Sequence, residues 1–253
     1  SEMCIRDRGR SWAEILQYRF TSEGHLNQHT VGNLLLTALW DRDGDFVAGL
    51  DRVGSLLRVI GRVLPMAAEP LDIEGTFQTN VGRFVVRGQK EVATAKGKLE
   101  SIRIIPEDPP ARPEALRAIE NADYITMGPG SWLTSVLPHL MVPAQREALS
   151  ASKAKKIILL NLDAHPSFAS IEEFAGYTPE EHLKLLNQYA PSLRFDYVIA
   201  DRTSGGENLE AMVEGYGGKL ILSDLRRSPG AIYHDVAKLN SVFRHIFEEI
   251  RVE

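Results

Sequence analysis

A glycine-rich turn after a short apolar strand is the strongest candidate for chemistry in this sequence. Residues 123–127 are predicted to form a buried strand, Gly128-Pro129-Gly130-Ser131 the turn, and residues 132–139 a helix. At the carboxyl end of a parallel strand, such a turn presents backbone N–H groups and a hydroxyl at a helix N-terminus, where the helix dipole favours an anion. The G-x-G-S pattern is weaker than a complete dinucleotide or Walker motif. The turn therefore indicates either a phosphate site or a structural connection in which Ser131 caps the helix.

Two histidines spaced four residues apart, the second of them His29, precede a predicted apolar helix. A zinc site needs more ligands, and the sequence has neither an H-E-x-x-H motif nor a cysteine pair, so we predict no metal here. Thr30 or Asn27 has the side chain of a helix N-cap, which is the structural interpretation of the segment. Gly32 lets a backbone or a ligand approach closely. We therefore favour ligand contacts from His29 and Asn33.

Acidic residues near the C-terminus have simpler structural explanations. His234 and Asp235 begin the last predicted helix, and an aspartate in this position is typical of an N-cap. Glu207, Glu210 and Glu214 recur at helical spacing, which is typical of a solvated helix face. Neither group predicts catalysis, and we assign no catalytic residue.

Composition excludes several classes of protein. The chain has 253 residues, of which 43% are apolar and 25% charged, as in a compact globular domain. Its net charge of −5 argues against a nucleic-acid partner. No apolar run approaches the roughly 20 residues that span a bilayer, so we expect no membrane partner. Cys4 is the only cysteine, which excludes an internal disulfide and predicts a reducing, cytoplasmic location.

The first eight residues show neither helical nor alternating periodicity. The run Met3-Cys4-Ile5-Arg6-Asp7 matches one reading frame of a common transposase-based sequencing adaptor. We interpret residues 1–8 as a prefix derived from that adaptor and residues 9–253 as one nucleotide-binding domain. On this interpretation the native N-terminus is missing and the single cysteine belongs to the prefix.

The spacing of apolar residues changes twice along the chain. Apolar spacing predicts helices at 12–20, 31–40 and 45–60, the last of them ending at Gly61. Alternating apolar residues then predict strands at 71–77, 84–92 and 99–105, which form a small antiparallel insertion near residues 70–105. The proline-rich segment 106–110 is predicted to be a rigid linker and the main internal boundary, or seam, between two parts of the chain.

Strands alternate with helices from residue 112 onward. The predicted strands are 123–127, 155–162, 195–200 and 219–223, and the predicted helices are 112–122, 132–139, 179–189 and 235–252. Thr178 and Glu181 give the third of these helices a capping-box pattern. This alternation predicts the α/β class, with a Rossmann-like, doubly wound and mostly parallel sheet.

Four short motifs, taken in order, resemble those of the CofD-like superfamily and, within it, the YvcK branch of gluconeogenesis factors. The similarity extends from about Ile15 to Phe247. Its motifs are residues 17–20 (close to Q-H-R-F), 29–34 (close to G-H-x-x-G-N-L), 61–65 (close to R-G-x-V-L-P) and 128–138 (G-P-G-S-x-x-T-S-x-x-P).

The resemblance implies a Rossmann-like fold that binds a nucleotide across the carboxyl ends of its strands. The YvcK branch is similar to proteins that bind UDP-linked sugars such as UDP-N-acetylglucosamine (UDP-GlcNAc), and that maintain cell shape and wall synthesis during gluconeogenic growth. The resemblance to this branch implies a non-catalytic regulator with protein partners in cell-wall regulation, and it leaves the oligomeric state open. Carried over to this chain, the ligand-binding residues are His29, Asn33, Gly128, Pro129, Gly130, Ser131, Thr134, Ser135, Asn161, His234 and Asp235.

Two alternatives remain. The CofD branch contains 2-phospho-L-lactate transferases, which use magnesium to move a phospholactyl group from a nucleotide diphosphate donor to the deazaflavin Fo. That branch tends to have A-P-S-N-P where this chain has Gly128-Pro129-Gly130-Ser131, and it lacks the G-H-x-x-G-N run, so the YvcK branch is favoured. The third possibility is a generic nucleotide-binding Rossmann domain with no sensing role.

The sequence departs from the family pattern at three places. The G-G-G-T-G strand-loop and the D-D-G-G-S-S-G segment of the family are absent. The family's N-x-x-x-Q-P-G-E-T appears as residues 161–166, followed by an apparent insertion at 167–175. The R-H-D of many members reads Tyr233-His234-Asp235 here, which removes a bidentate phosphate donor.

Overall fold

The computed structural model describes residues 11–162 and 178–252, so the predictions for residues 1–8 and 167–175 lie outside the described residues. The chain divides into two compact units, Ser1–Pro65 and Met66–Glu253. The proline-rich segment 106–110 lies inside the second unit, and the prediction of a seam there is wrong. The carbonyl of Pro110 accepts the N–H of Ala68 (2.7 Å), and Ala111 pairs with Ala67, so this segment is tied back to the start of its own unit.

The described part of the first unit is helical. Its helices are α1 (residues 11–17), α2 (Val31–Asp43) and α3 (Phe46–Leu57). Thr30 caps α2, since its Oγ1 accepts the N–H of Asn33 at 3.1 Å. Helix α3 ends at Leu57, with Arg58 as its C-cap, and does not extend to the predicted stop at Gly61. Arg58 itself adopts the left-handed conformation (φ 54°), and the N–H of Val59 closes the last turn on the Gly54 carbonyl.

The second unit begins with a three-stranded antiparallel sheet. Its strands are β1 (Asp72–Thr79), β2 (Gly82–Arg87) and β3 (Lys98–Ile105), in the order β2-β1-β3. Strand β2 is shorter than predicted, because Gly88 (φ 114°) turns the chain and its carbonyl accepts the N–H of Val92 to start helix α4 (Gln89–Thr94). The antiparallel insertion is confirmed, but its second strand was predicted to extend over residues that form this helix.

A four-stranded parallel sheet forms the centre of the second unit. Its strands are β4 (Tyr124–Met127), β5 (Lys155–Leu159), β6 (Tyr197–Asp201) and β7 (Lys219–Ser223), in the order β4-β5-β6-β7. The connecting and flanking helices are α5 (Pro113–Glu120), a π-helical turn (Trp132–Val136), α6 (Leu137–Met141), α7 (Pro143–Ala151), α8 (Pro179–Tyr189), α9 (Glu207–Gly215) and α10 (Val236–Val252). The predicted Rossmann-like α/β class is confirmed.

Alternate residues of the parallel strands belong to two different apolar clusters. Ile158 and Val198 pack in the cluster that includes α6, α8, α9 and the antiparallel sheet. Ile157 and Ile199 pack in the cluster that includes α10. Because helices cover both faces of the sheet, its strands are continuous apolar runs in the sequence.

Helix α8 is fixed at both ends. At its start, Thr178 Oγ1 accepts the N–H of Glu181, and the Glu181 carboxylate accepts the N–H of Thr178, which is the predicted capping box. At its end, the Tyr189 hydroxyl accepts the N–H of Ile102 (3.2 Å) and donates to the Ile102 carbonyl (3.0 Å). This second contact joins α8 to strand β3. None of the described helices combines the length and apolar character needed to cross a membrane.

Candidate functional site at the carboxyl edge of the parallel sheet

The turn after β4 requires glycine at its first position. Gly128 has φ 78°, in the left-handed region, and a Cβ atom there would collide with the carbonyl oxygen of Leu159 on β5. Gly130 also has a positive φ, 147°. The turn therefore lies tight against the neighbouring strand.

The hydroxyl of Ser131 is used inside the turn. Its Oγ accepts the N–H of Thr134 at 3.2 Å and lies 2.7 Å from the Thr134 hydroxyl. The Ser131 carbonyl accepts the N–H groups of both Ser135 (2.8 Å) and Val136 (3.1 Å), and the second of these bonds makes the first turn π-helical. The capping interpretation of Ser131 is confirmed, while Ser135 is exposed at the surface.

Asn161, which follows β5, closes the turn from the neighbouring strand. Its Oδ1 accepts the N–H of Gly130 at 3.1 Å, and its Nδ2 donates to the Gly130 carbonyl at 3.0 Å. An amide that pairs with both backbone groups of one residue fixes that residue as a strand partner would. The N–H of Gly130, which the sequence pattern offers to an anion, is therefore already engaged.

A buried ring pair supports this turn from below. Trp132 is 1% exposed and stacks on His182 of α8, with ring centroids 4.5 Å apart and planes 15° apart. Burial lowers the pKa of His182 to about 3. The imidazole is consequently neutral at physiological pH, and its contribution is packing.

A buried ion pair occupies the other half of the same edge. Asp201, the last residue of β6, is 2% exposed, and its Oδ1 lies 3.3 Å from Nε of Arg226, which follows β7. Asp201 also accepts hydrogen bonds from the N–H and hydroxyl of Thr203 and from the N–H of Leu225. Burial by itself raises the pKa of Asp201, but these hydrogen bonds and the charge of Arg226 together lower it. The carboxylate is therefore ionised and saturated with donors.

The guanidinium of Arg226 is equally occupied. Besides its contact with Asp201, it donates to the carbonyls of Leu162 (2.5 Å) and Ala231 (2.6 Å) and to the hydroxyl of Thr203 (3.3 Å). These acceptors lie after β5, after β6 and in the loop before α10. Arg226 thus holds together three segments of the carboxyl edge.

A cavity of about 710 Å³ opens beside this ion pair. Its lining residues lie at or after the ends of β6 and β7 and on α10: Asp201, Arg202, Thr203, Ser204, Asp224, Arg226, Arg227, Ser228, Pro229, Gly230 and Lys238. Its volume falls in the range of small-molecule sites, and its location is where open α/β sheets bind their ligands. None of these lining residues is among the ligand-binding residues predicted from the sequence. The signal was present, because Asp201 and Arg226 both follow predicted strands.

His234 and Asp235 lie next to this cavity in sequence but do not line it. Asp235 caps α10, since its Oδ1 accepts the N–H groups of Ala237 (2.9 Å) and Lys238 (3.0 Å). The backbone hydrogen bond from Lys238 is the main cause of the lowered pKa of Asp235. His234 pairs with Arg226 in an isolated antiparallel bridge. The structural interpretation of Asp235 is confirmed, and ligand contact from either residue stays a prediction.

The predicted ligand residues are distributed over both units of the chain. Gly128, Pro129, Gly130, Ser131, Thr134, Ser135 and Asn161 belong to one turn and the strand end beside it. His29 and Asn33 lie in the first unit, where both are exposed. Among residues 11–162 and 178–252, no group of three or more His, Cys, Asp or Glu side chains could hold a metal ion.

The parallel sheet, covered by helices on both faces and carrying a cavity at its carboxyl edge, has a Rossmann-like α/β architecture. The family profile described as 2-phospho-L-lactate transferase CofD matches residues 3–227. The chain belongs to the CofD family.

Relatives and solved structures place the chain within that family. A Mycobacterium tuberculosis protein named "Putative gluconeogenesis factor" is 40% identical over 92% of this chain and 69% of its own length. The gluconeogenesis factor of Halalkalibacterium halodurans is 34% identical over 68% of this chain and 51% of its own length. A crystal structure of a UPF0052-family protein from Bacillus halodurans superimposes with a TM-score of 0.74 at 26% identity, covering 92% of this chain and 77% of that one.

Proposed function

We propose that this chain is a regulatory factor that binds a nucleotide sugar of the UDP-GlcNAc type and acts in cell shape and wall synthesis during gluconeogenic growth. The observation that carries the proposal is the cavity of about 710 Å³ at the ends of β6 and β7, which has the size and the position of a nucleotide site in an α/β sheet. The relatives named as gluconeogenesis factors support the physiological part. A protein partner in wall regulation, in the cytoplasm, is part of the same proposal.

The described residues of the edge favour binding over turnover. The Asp201 carboxylate is saturated by hydrogen-bond donors, and His182 is buried and neutral beneath the turn. A general base needs an accessible lone pair within hydrogen-bond reach of its substrate. Neither of these two groups meets this requirement, which supports binding over reaction in this proposal.

Calorimetry with UDP-GlcNAc tests the ligand. We expect saturable binding of UDP-GlcNAc, weaker binding of uridine, and recovery of intact UDP-GlcNAc after prolonged incubation. Failure of the whole chain to bind any uridine nucleotide sugar would contradict the proposal. Restored growth of a gluconeogenesis-factor deletion strain on a gluconeogenic carbon source would test its physiological part.

The second candidate is a 2-phospho-L-lactate transferase, favoured by the family profile over residues 3–227. This enzyme would use magnesium, and the described residues supply no cluster of three carboxylate or imidazole ligands for it. A transfer assay with a nucleotide-diphosphate phospholactate donor, Fo and magnesium separates the two candidates. Formation of the phospholactyl product would replace the regulator proposal by the transferase.

A further inference from the structure

The charges around the cavity do not balance. Four basic side chains line it, against two acidic ones, in a chain whose net charge is −5. Both carboxylates have a basic partner: Asp201 lies 3.3 Å from Arg226, and Asp224 lies 2.6 Å from Lys238. The positive charge that remains among the lining residues belongs to Arg202 and Arg227, and Arg227 also lies close enough to Asp235 to help lower the pKa of that carboxyl.

These two arginines occupy equivalent positions around the buried ion pair. Arg202 directly follows Asp201, and Arg227 directly follows Arg226. Both are exposed at the cavity wall, whereas the side chains of the paired residues are 2% and 8% exposed. A rigid buried pair thus anchors the backbone from which two solvent-accessible guanidinium groups project.

The backbone of Arg227 is fixed by a second contact. Its N–H donates to the carbonyl of Tyr233 at 3.2 Å, next to the bridge between Arg226 and His234. Tyr233 is 68% exposed and does not line the cavity. Tyr233 therefore brings no positive charge to the cavity. Arg227, which is hydrogen-bonded to Tyr233 through its backbone, does line the cavity and carries a guanidinium.

We propose that Arg202 and Arg227 form a two-point anion subsite that binds the diphosphate of the nucleotide sugar. The proposal rests on the proposed function for the identity of the ligand, but its chemistry is that of any diphosphate. Each guanidinium can donate two parallel hydrogen bonds to phosphate oxygens, and Ser204 and Ser228 line the same cavity. The Gly130 N–H is held by Asn161, which favours the β6–β7 end of the edge over the glycine-rich turn as the place of the diphosphate.

The test uses the whole chain and its Arg202→Gln, Arg227→Gln and double variants, with UDP-GlcNAc, inorganic pyrophosphate and uridine as probes. Each single variant should weaken UDP-GlcNAc and pyrophosphate binding about tenfold, and the double variant about a hundredfold, since one charge-assisted contact contributes roughly one decade. Uridine binding should not change. The Arg227→Lys variant should bind UDP-GlcNAc less tightly than the native chain but more tightly than Arg227→Gln. Lysine keeps the positive charge but cannot donate two parallel hydrogen bonds as a guanidinium does.

Arg244→Gln is the matched control, because it removes the same charge from an exposed position on α10, outside the cavity. Native melting temperatures in all variants would show that the fold is intact. Affinity of the native chain should also fall more steeply with ionic strength than that of the double variant.

The outcomes separate the two proposals. If UDP-GlcNAc binds the native chain and both glutamine variants equally, the subsite is wrong and the proposed function stands. If the native chain binds pyrophosphate through these arginines but does not bind UDP-GlcNAc, the subsite stands and the proposed ligand is wrong. An equal loss in Arg244→Gln would also overturn the subsite, since bulk charge would then explain the effect.

Discussion

The two halves of the carboxyl edge are closed by different chemistry. At the β4–β5 end, neutral hydrogen bonds join Gly130 to Asn161 and Ser131 to Thr134. At the β6–β7 end, the buried ion pair of Asp201 and Arg226 joins the segments of the edge, and a cavity lies beside it. In both halves, a polar residue at or just beyond a strand end holds the edge together. Asp201 and Arg226 are therefore occupied in holding the edge, and the side chains that remain accessible to a ligand belong to their sequence neighbours, Arg202 and Arg227.

The largest effect should come from breaking the charged half. Asp201→Asn leaves Arg226 buried without its counter-charge, which typically costs about 3–5 kcal/mol of unfolding free energy. Denaturant unfolding at neutral pH measures the loss. Asp224→Asn is the matched control, since it breaks an exposed pair with Lys238 and should cost less than about 1 kcal/mol. Equal losses in the two variants would show that burial does not distinguish the pairs.

A smaller loss should follow from crowding the neutral half. Gly128→Ala forces a side chain into a left-handed backbone and against the Leu159 carbonyl, and we expect a loss of about 3 kcal/mol from strain and overpacking together. Gly217→Ala is the control, because Gly217 has a similar φ (85°) but no atom within 4 Å of the added Cβ. The difference between the two unfolding free energies isolates the close approach of β4 and β5. A difference near zero would contradict the tight turn.

The smallest effect is a pH dependence of the unfolding free energy, which arises from His182 beneath the turn at the β4–β5 end. The folded pKa of His182 is about 3, below the ordinary 6.5, so the histidine favours folding fully above pH 6.5 and progressively less as the pH falls. Between pH 6.5 and pH 5 the native chain should lose about 2 kcal/mol of stability from this residue. His182→Phe, which can still stack on Trp132, should lose correspondingly less over the same interval. Parallel pH profiles of the two proteins would contradict a neutral buried imidazole.

Features with a local signal were predictable from the sequence. Helix α8 has the predicted bounds, because the capping box at Thr178 fixes its start within three residues. The parallel strands were found from their apolar runs, since burial on both faces leaves little else in them. Helix α4 was missed, because the apolar residues near it continue the alternation of β2 and only the φ of Gly88 ends that strand.

The site was predictable only in part, because its contacts join residues that are far apart in sequence. Asn161 lies beside the turn, but nothing in its own segment indicates that it holds Gly130, 31 residues away. Asp201 and Arg226 are 25 residues apart, and each looks like an ordinary loop charge. The rule that parallel strands end together would have paired them, had it been applied to every strand of the sheet.

The contact of Tyr189 with Ile102 has a consequence for association between chains. Strand β3 is one of the two outer strands of its sheet, and the backbone groups of an outer strand are a template on which another chain can add a strand. Burial raises the pKa of Tyr189, so its hydroxyl stays protonated and both donates to and accepts from the middle of that strand. One phenol thereby occupies the hydrogen-bonding groups that strand addition and the growth of an aggregate would need at this point.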